Sequence, residues 1–149
     1  MLFKKLPHNS EMLQPLLNIL TEKKMKDLKN HVDAVNSIDP DNYIANINGL
    51  GVDLQGFEGS VVVFSVGTVT DGTHVPQIEE SDDNSNWTNV TSADLEGVLS
   101  DLVSDNNQRV GYKGAKRYLR AVLTVSGATI GAQVAGLVLR GIPHRAPVS

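Results

Sequence analysis

Residues 51–70 read GVDLQGFEGSVVVFSVGTVT. The apolar period here is two, and the run VVVFSVG (61–67) is β-branched and aromatic, which suits a buried or half-buried strand rather than a helix. Gly56 and Gly59 break the stretch into two strand candidates, and TDGT (70–73) ends it with a turn. Reading outward toward the C-terminus, the same period continues. HVPQIEESD (74–82) sets Val75, Gln77 and Glu79 against Ile78 and Glu80, and Pro76 suggests an edge or bulge. NWTNV (86–90) is a short strand. SADLEGVLSDLVSDN (92–106) reads as a helical turn or as a strand and a loop. Strands at 108–113 and 117–125 follow, joined by a turn at Gly114-Ala115. SGAT (126–129) turns the chain again into a last strand, GAQVAGLVLRGIP (131–143). Tyr118, Arg120, Val122 and Thr124 alternate with Leu119, Ala121, Leu123 and Val125, which leaves one mainly apolar face. About eight short strands with turn signals every 8–12 residues indicate an antiparallel β-sandwich or barrel. No helices alternate with them, so a parallel doubly wound sheet is not expected.

Upstream of this region the period changes. LQPLLNILTEKKMKDLKNHVDAV (13–35) places Leu13, Leu16, Leu17, Leu20, Met25, Leu28, Val32 and Val35 mostly at helical spacing, with Lys23, Lys24, Lys26 and Lys29 as a solvated face. Asp39-Pro40-Asp41 reads as a stop. The expected organisation is a helical arm (1–45), a sandwich (46–142) and an extended tail (143–149) whose Pro143 and Pro147 make it semi-extended.

The 149 residues amount to one domain, long enough to bury a core without crosslinks. There is no cysteine, which rules out disulfides and thiolate metal sites. No apolar run reaches the ~20 residues of a membrane span, and the interrupted N-terminus does not read as a signal peptide. The net charge of −4 hides an uneven distribution. From His31 to Gln108 there is neither Lys nor Arg, and after Asp105 there is no acid. All the later charges are basic: Arg109, Lys113, Lys116, Arg117, Arg120, Arg140 and Arg145. This pattern suits either head-to-tail contact with a charged partner or cross-strand pairing within one fold.

The most conspicuous polar stretch is EESDDNSNWTNV (79–90), with four acids and three Asn around the only Trp. Calcium would suit Asp82, Asp83 and Asn84. However, the EF-hand pattern puts Gly at its sixth position, where Trp87 stands. Two N-glycosylation sequons have meaning only in a secreted chain. A sugar platform at Trp87 would need further exposed aromatics, for example Tyr43, Tyr112 or Tyr118. The composition is explained most simply as a hairpin turn, because Asp and Asn side chains bond their own backbone and tolerate left-handed dihedrals. His8, His31, His74 and His144 lack metal-pair spacing. Neither a GxSxG, HExxH or P-loop motif nor a cysteine nucleophile is present. Adjacent Glu79 and Glu80 point to opposite faces of a strand and cannot act as a pair. KGAKRYLR (113–120) is a modest basic cue for nucleic acid, set against an acidic chain. No catalytic, cofactor or metal residue is assigned, and neither nucleic acid nor membrane is an expected partner.

Three stretches in order carry a resemblance: VGTVTDGTHVPQIEESDDNSNWTNV (66–90), DLEG (94–97) and NQRVGYKGAKRYLRAVLTVSGATIGAQVAGLVLRGIPHRAPV (107–148). Together they resemble small virion proteins of tailed bacteriophages, encoded among head genes. The resemblance covers about two thirds of the chain and leaves out the first 45 residues. It implies a jelly-roll-like sandwich that decorates or cements the capsid without chemistry, bound to the major capsid protein at the capsid surface. Self-association would be as a homodimer or homotrimer. Contacts are expected through Leu13, Leu16, Leu17 and Leu20 of the arm, Lys113, Lys116 and Arg117, and Arg140 and Arg145. A carbohydrate-binding module for host attachment and a minor tail or connector component are the rival readings.

Overall fold

A computed structural model describes residues 26–148. These form ten strands: β1 (Val32–Tyr43), β2 (Ile47–Asn48), β3 (Val52–Asp53), β4 (Phe57–Val69), β5 (Thr73–Ser81), β6 (Thr88–Asn89), β7 (Leu95–Glu96), β8 (Gln108–Tyr112), β9 (Tyr118–Ser126) and β10 (Ala132–Pro143). A single 3-10 turn, Ser92–Asp94, stands before β7. Alternation along β4 organises the molecule. Val62, Phe64 and Val66 point inward and are buried, while Val61, Val63 and Ser65 face the other way. β9 does the same with Leu119, Ala121 and Leu123, each fully buried, on the face that the sequence marks as apolar. Strand side chains alternate because successive residues of a pleated chain point to opposite faces.

Two antiparallel sheets sandwich this core. One has the order β1-β10-β4-β8-β7, the other β2-β9-β5-β6 with β3 also on β9. β2 and β3 are two halves of one broken strand, since Ile47 pairs with Leu123 and Val52 with Leu119. Counting that pair as one, and setting the short β7 aside, the strands nest from the outside in. β1 pairs with β10, β2/β3 with β9, β4 with β8 and β5 with β6. A long hairpin rolled up this way, its pairs falling alternately in two sheets, has the wiring of a jelly roll. The sandwich expectation holds, in finer pieces than the eight strands counted.

β1 corrects the expected domain boundary. Residues 32–43, assigned above to the helical arm, are an edge strand of the first sheet, so the sandwich begins well before residue 46. The register of β1 on β10 slips between Asn36 and Ile38 and again between Ile38 and Asp41. Each slip inserts residues and shifts the inward positions. Val35 and Ile38, on either side of the first slip, consequently both pack inward at an interval of three, while Val32 lies on the opposite face; the sequence spacing of the three imitates a helix. Pro40 is tolerated inside the strand because it sits in the bulged part of an edge, where no ladder hydrogen bond is lost. Leu13, Leu16, Leu17 and Leu20 lie outside the described residues.

Buried Ser37 uses the bulge to join the two sheets. Its hydroxyl donates to the Leu50 carbonyl at 2.8 Å and accepts from the Ala121 amide at 2.9 Å, while its carbonyl accepts from Leu50 N. The tail is likewise not extended away from the body. β10 runs through Pro143, His144 N donates to the Gly56 carbonyl and Val148 N donates to that of Asn30. These backbone bonds hold the described part of 143–149 against the sandwich.

Candidate interaction surfaces

The nested wiring sorts the loops to two ends. At one end stand the β1–β2 turn, the β4–β5 turn, the β9–β10 turn and part of the long connection before β8. At the other stand the β5–β6 hairpin, the β8–β9 loop, β3 and the C-terminal segment. The two ends differ in chemistry.

The first end is clamped and carries three exposed large apolar residues among polar ones. Ile44, Val103 and Ile130 are exposed there, at 55%, 54% and 59% of their surface. Asp71 holds the turns together. Its carboxylate accepts from the amides of Thr129 (2.9 Å), Ile130 (2.9 Å) and Gly131 (2.6 Å), and from the Thr129 hydroxyl. Thr70 N returns a bond to the Gly131 carbonyl at 2.9 Å, and Asn42 Nδ2 donates to the Ile130 carbonyl. Leu102 N to the His74 carbonyl and Val69 N to Ser104 Oγ, both 2.8 Å, attach the connection that carries Val103. His74 itself is fully buried; its Nε2 lies 3.0 Å from the Tyr43 carbonyl.

The donors around Asp71, the Gly131 amide foremost, hold its carboxyl well below the usual carboxylate range. The ionised form is therefore favoured in the folded state. Its stabilisation is present above the unfolded-state value of about 4 and is lost as pH falls below it. Asp71→Asn is expected to lower Tm at neutral pH and to flatten part of the acid limb of the Tm–pH curve. Calorimetry between about pH 7 and pH 2 checks this; an unaltered acid limb would exclude Asp71 as its source.

The second end carries the charges, and they pair with one another. Lys116 meets Asp82, Arg117 meets Asp53 at 2.7 Å, Arg120 meets Glu79 at 2.5 Å, Arg140 meets Asp33, and His144 meets Glu58. In all five the base comes from after Asp105 and the acid from before it. The charge asymmetry of the sequence is thus taken up within the fold, the second of the two alternatives weighed above. Arg140 is the most engaged: it also donates to the Asp53 carbonyl at 2.7 Å and lies over the Phe57 ring at 4.5 Å. The bond from Arg117 holds the Asp53 carboxyl below its usual range, and Asp82 raises the Lys116 ammonium. The Lys116 and Arg117 pairs are exposed, where solvent screening leaves a salt bridge little net stabilisation. Of the expected contact residues, Lys113 and Arg145 are exposed and belong to none of these pairs.

The acidic stretch is a hairpin turn. Glu79 pairs with Asn89 and Glu80 with Thr88. Between them Asp83 gathers the loop, accepting from Ser85 N (2.9 Å), Asn86 N (2.8 Å), Asn86 Nδ2 (2.7 Å) and Ser81 Oγ (2.9 Å). Asn84 takes the left-handed conformation, with φ at 59°. The Trp87 ring is half-buried: the Arg120 guanidinium lies over it at 4.4 Å, and a Cβ on Gly51 would come within 2.8 Å of it. That occupied ring face is not an open platform for a sugar. Tyr112, another aromatic of the carbohydrate reading, is buried and donates to Glu80 at 2.5 Å, reaching across the sandwich. Burial, then the bond to Glu80, pushes its phenol above the usual range. Glu79 meanwhile pairs outward with Arg120, so the two neighbouring glutamates do face opposite ways.

Among the described residues, no three His, Asp or Glu side chains gather closely enough to hold a metal ion, and no helix is long and apolar enough to cross a membrane. A cleft of about 430 Å³ at the charged end is lined by Glu58, Tyr112, Lys116, Arg117 and His144, groups already engaged with one another or with Asp53, Glu80 and Asp82.

No family model and no curated protein matches the chain. Among solved structures, a chain from the structure of infectious bursal disease virus Gx strain is similar, at 12% identity and a TM-score of 0.39. The match covers 76% of this chain and 32% of that one, so the protein spans about a third of the solved chain's length.

Proposed function

We propose that this chain is a non-enzymatic capsid cement or decoration protein of the tailed-phage type, binding the outer surface of a major capsid lattice as a homodimer or homotrimer. The observation that carries the reading is the set of exposed apolar side chains at the clamped end. Ile130 is exposed on the turn that Asp71 and its four donors hold in place, and Ile44 is exposed beside it, just after Asn42, which bonds the Ile130 carbonyl. Exposed apolar side chains on a clamped scaffold lose little further freedom on binding, and so form a pre-organised contact surface. Jelly-roll wiring supports the reading by analogy, since it recurs in viral capsid domains as well as in lectins. At the far end Lys113 and Arg145 remain available for an acidic neighbour.

Copy number tests the proposal. Virions would be sedimented and this protein quantified against the major capsid protein by mass spectrometry. A ratio near one, or a simple fraction such as a third, is the expected result for a regular surface lattice. A ratio of a few per cent would assign the protein to the tail or connector instead. Absence from particles would overturn the virion reading altogether.

A further inference from the structure

The outer faces of the two sheets differ. On the second sheet, Val75, Gln77 and Glu79 lie beside Thr124, Val122 and Arg120, a largely polar surface. On the first sheet, Val61 pairs with Leu139 and Val63 with Leu137, so four large apolar side chains form one block across β4 and β10. Ala34, in register with Leu139, and Ala135, in register with Ser65, extend it. All four large residues are half-buried, yet none belongs to the core cluster or packs against it. β4 and β10 are continuous apolar runs through this region, the pattern of strands covered on both faces rather than one.

We infer that residues 1–25 of the same chain cover this face, with Leu13, Leu16, Leu17 and Leu20 seated on Val61, Val63, Leu137 and Leu139. Three observations select this occupant. The four leucines fall at positions i, i+3, i+4 and i+7, a single stripe on a helix. The described chain enters the sheet at β1, whose neighbours in order are β10 and β4. With strands about 4.8 Å apart, the block lies within roughly 10 Å of the entry strand, while a helix of this length spans some 35 Å. Finally, His31 N bonds to the Leu28 carbonyl at 3.0 Å just before β1. That bond closes a turn, so the chain changes direction immediately before it enters the sheet. Such docking is independent of whether the protein coats a shell.

The 149 residues include no cysteine, so Ala34→Cys accepts a single nitroxide label at the exposed edge of the block. Paramagnetic broadening of backbone amides then reports what lies near it. The expected result is strong broadening of residues 13–20 within the labelled chain. None is expected in isotope-labelled, nitroxide-free chains mixed with nitroxide-bearing, unenriched ones. Leu16→Asp combined with Leu20→Asp should restore those amide intensities while leaving the sandwich resonances in place, because the described core cluster is left unaltered. Absence of broadening within the chain would overturn the inference. So would broadening confined to the mixed sample, which would make a second copy the occupant, or broadening that survives the double substitution.

Discussion

Phe64→Ala is expected to lower the free energy of unfolding by about 3–5 kcal/mol. Phe64 is fully buried at the middle of β4, between Val62 and Val66 on the inner face. β4 lies at the centre of the first sheet, flanked by β10 and β8. A void left there is walled by backbone ladders on both sides and cannot collapse easily, which places the cost toward the upper part of the range. Against a total stability of roughly 5–15 kcal/mol for a domain of this kind, the loss brings the protein near its unfolding threshold. Val63→Ala, one residue away on the outer face, is expected to cost about 1 kcal/mol or less. Urea titrations of the two variants check the contrast. Equal losses would contradict the alternation on which the sandwich rests.

The second large effect is expected at Gly131. Its φ is +88°, and a Cβ there would collide with the Tyr43 carbonyl oxygen and meet its carbon at 2.8 Å. Gly131 is also the residue whose amide binds Asp71 and whose carbonyl receives Thr70 N. The position thus combines left-handed backbone with contact against a neighbouring main chain that has no freedom to move. Gly131→Ala should cost about 3 kcal/mol or more, the sum of the backbone penalty and the steric shift. Gly127, in the same β9–β10 turn, separates the two contributions. Its φ is +66°, but a Cβ there would meet nothing within 4 Å. Gly127→Ala should therefore cost only about 1 kcal/mol. If the proposed function holds, Gly131→Ala should also weaken capsid binding, because it displaces the turns that carry Ile44 and Ile130, whereas Gly127→Ala should not.

What could be read from the sequence was whatever its local pattern encodes. β4, β5, β8, β9 and β10 follow the alternation and turn chemistry of 57–143, and the Asp83 hairpin follows its Asp and Asn content. β1 could not be read this way. Its apolar residues look helical because Val35 and Ile38, three apart, face inward on either side of a bulge, and the partner that defines it as a strand, β10, lies at the other end of the chain. The Asp71 clamp was hidden for the same reason: TDGT announces a turn, but its four donors stand at 129–131. The charge asymmetry was visible while its use was not. The nested pairing is what turns an acidic first part and a basic last part into five intramolecular ion pairs.

That nesting also dictates when the protein can fold. Val32 pairs with Gly141 and Asp33 with Arg140, so the first strand of the sandwich waits for the last. β4, at the centre of its sheet, lacks one of its two neighbours until β10 has been synthesised. On a ribosome the VVVFSV run therefore emerges long before the strand that covers its edge. Sequence-distant pairing of this kind makes folding slow and leaves apolar strand edges open to aggregation meanwhile. A chain stalled before residue 132 would present that edge without relief, so synthesis of this protein should be more sensitive to chaperone supply than its modest size suggests.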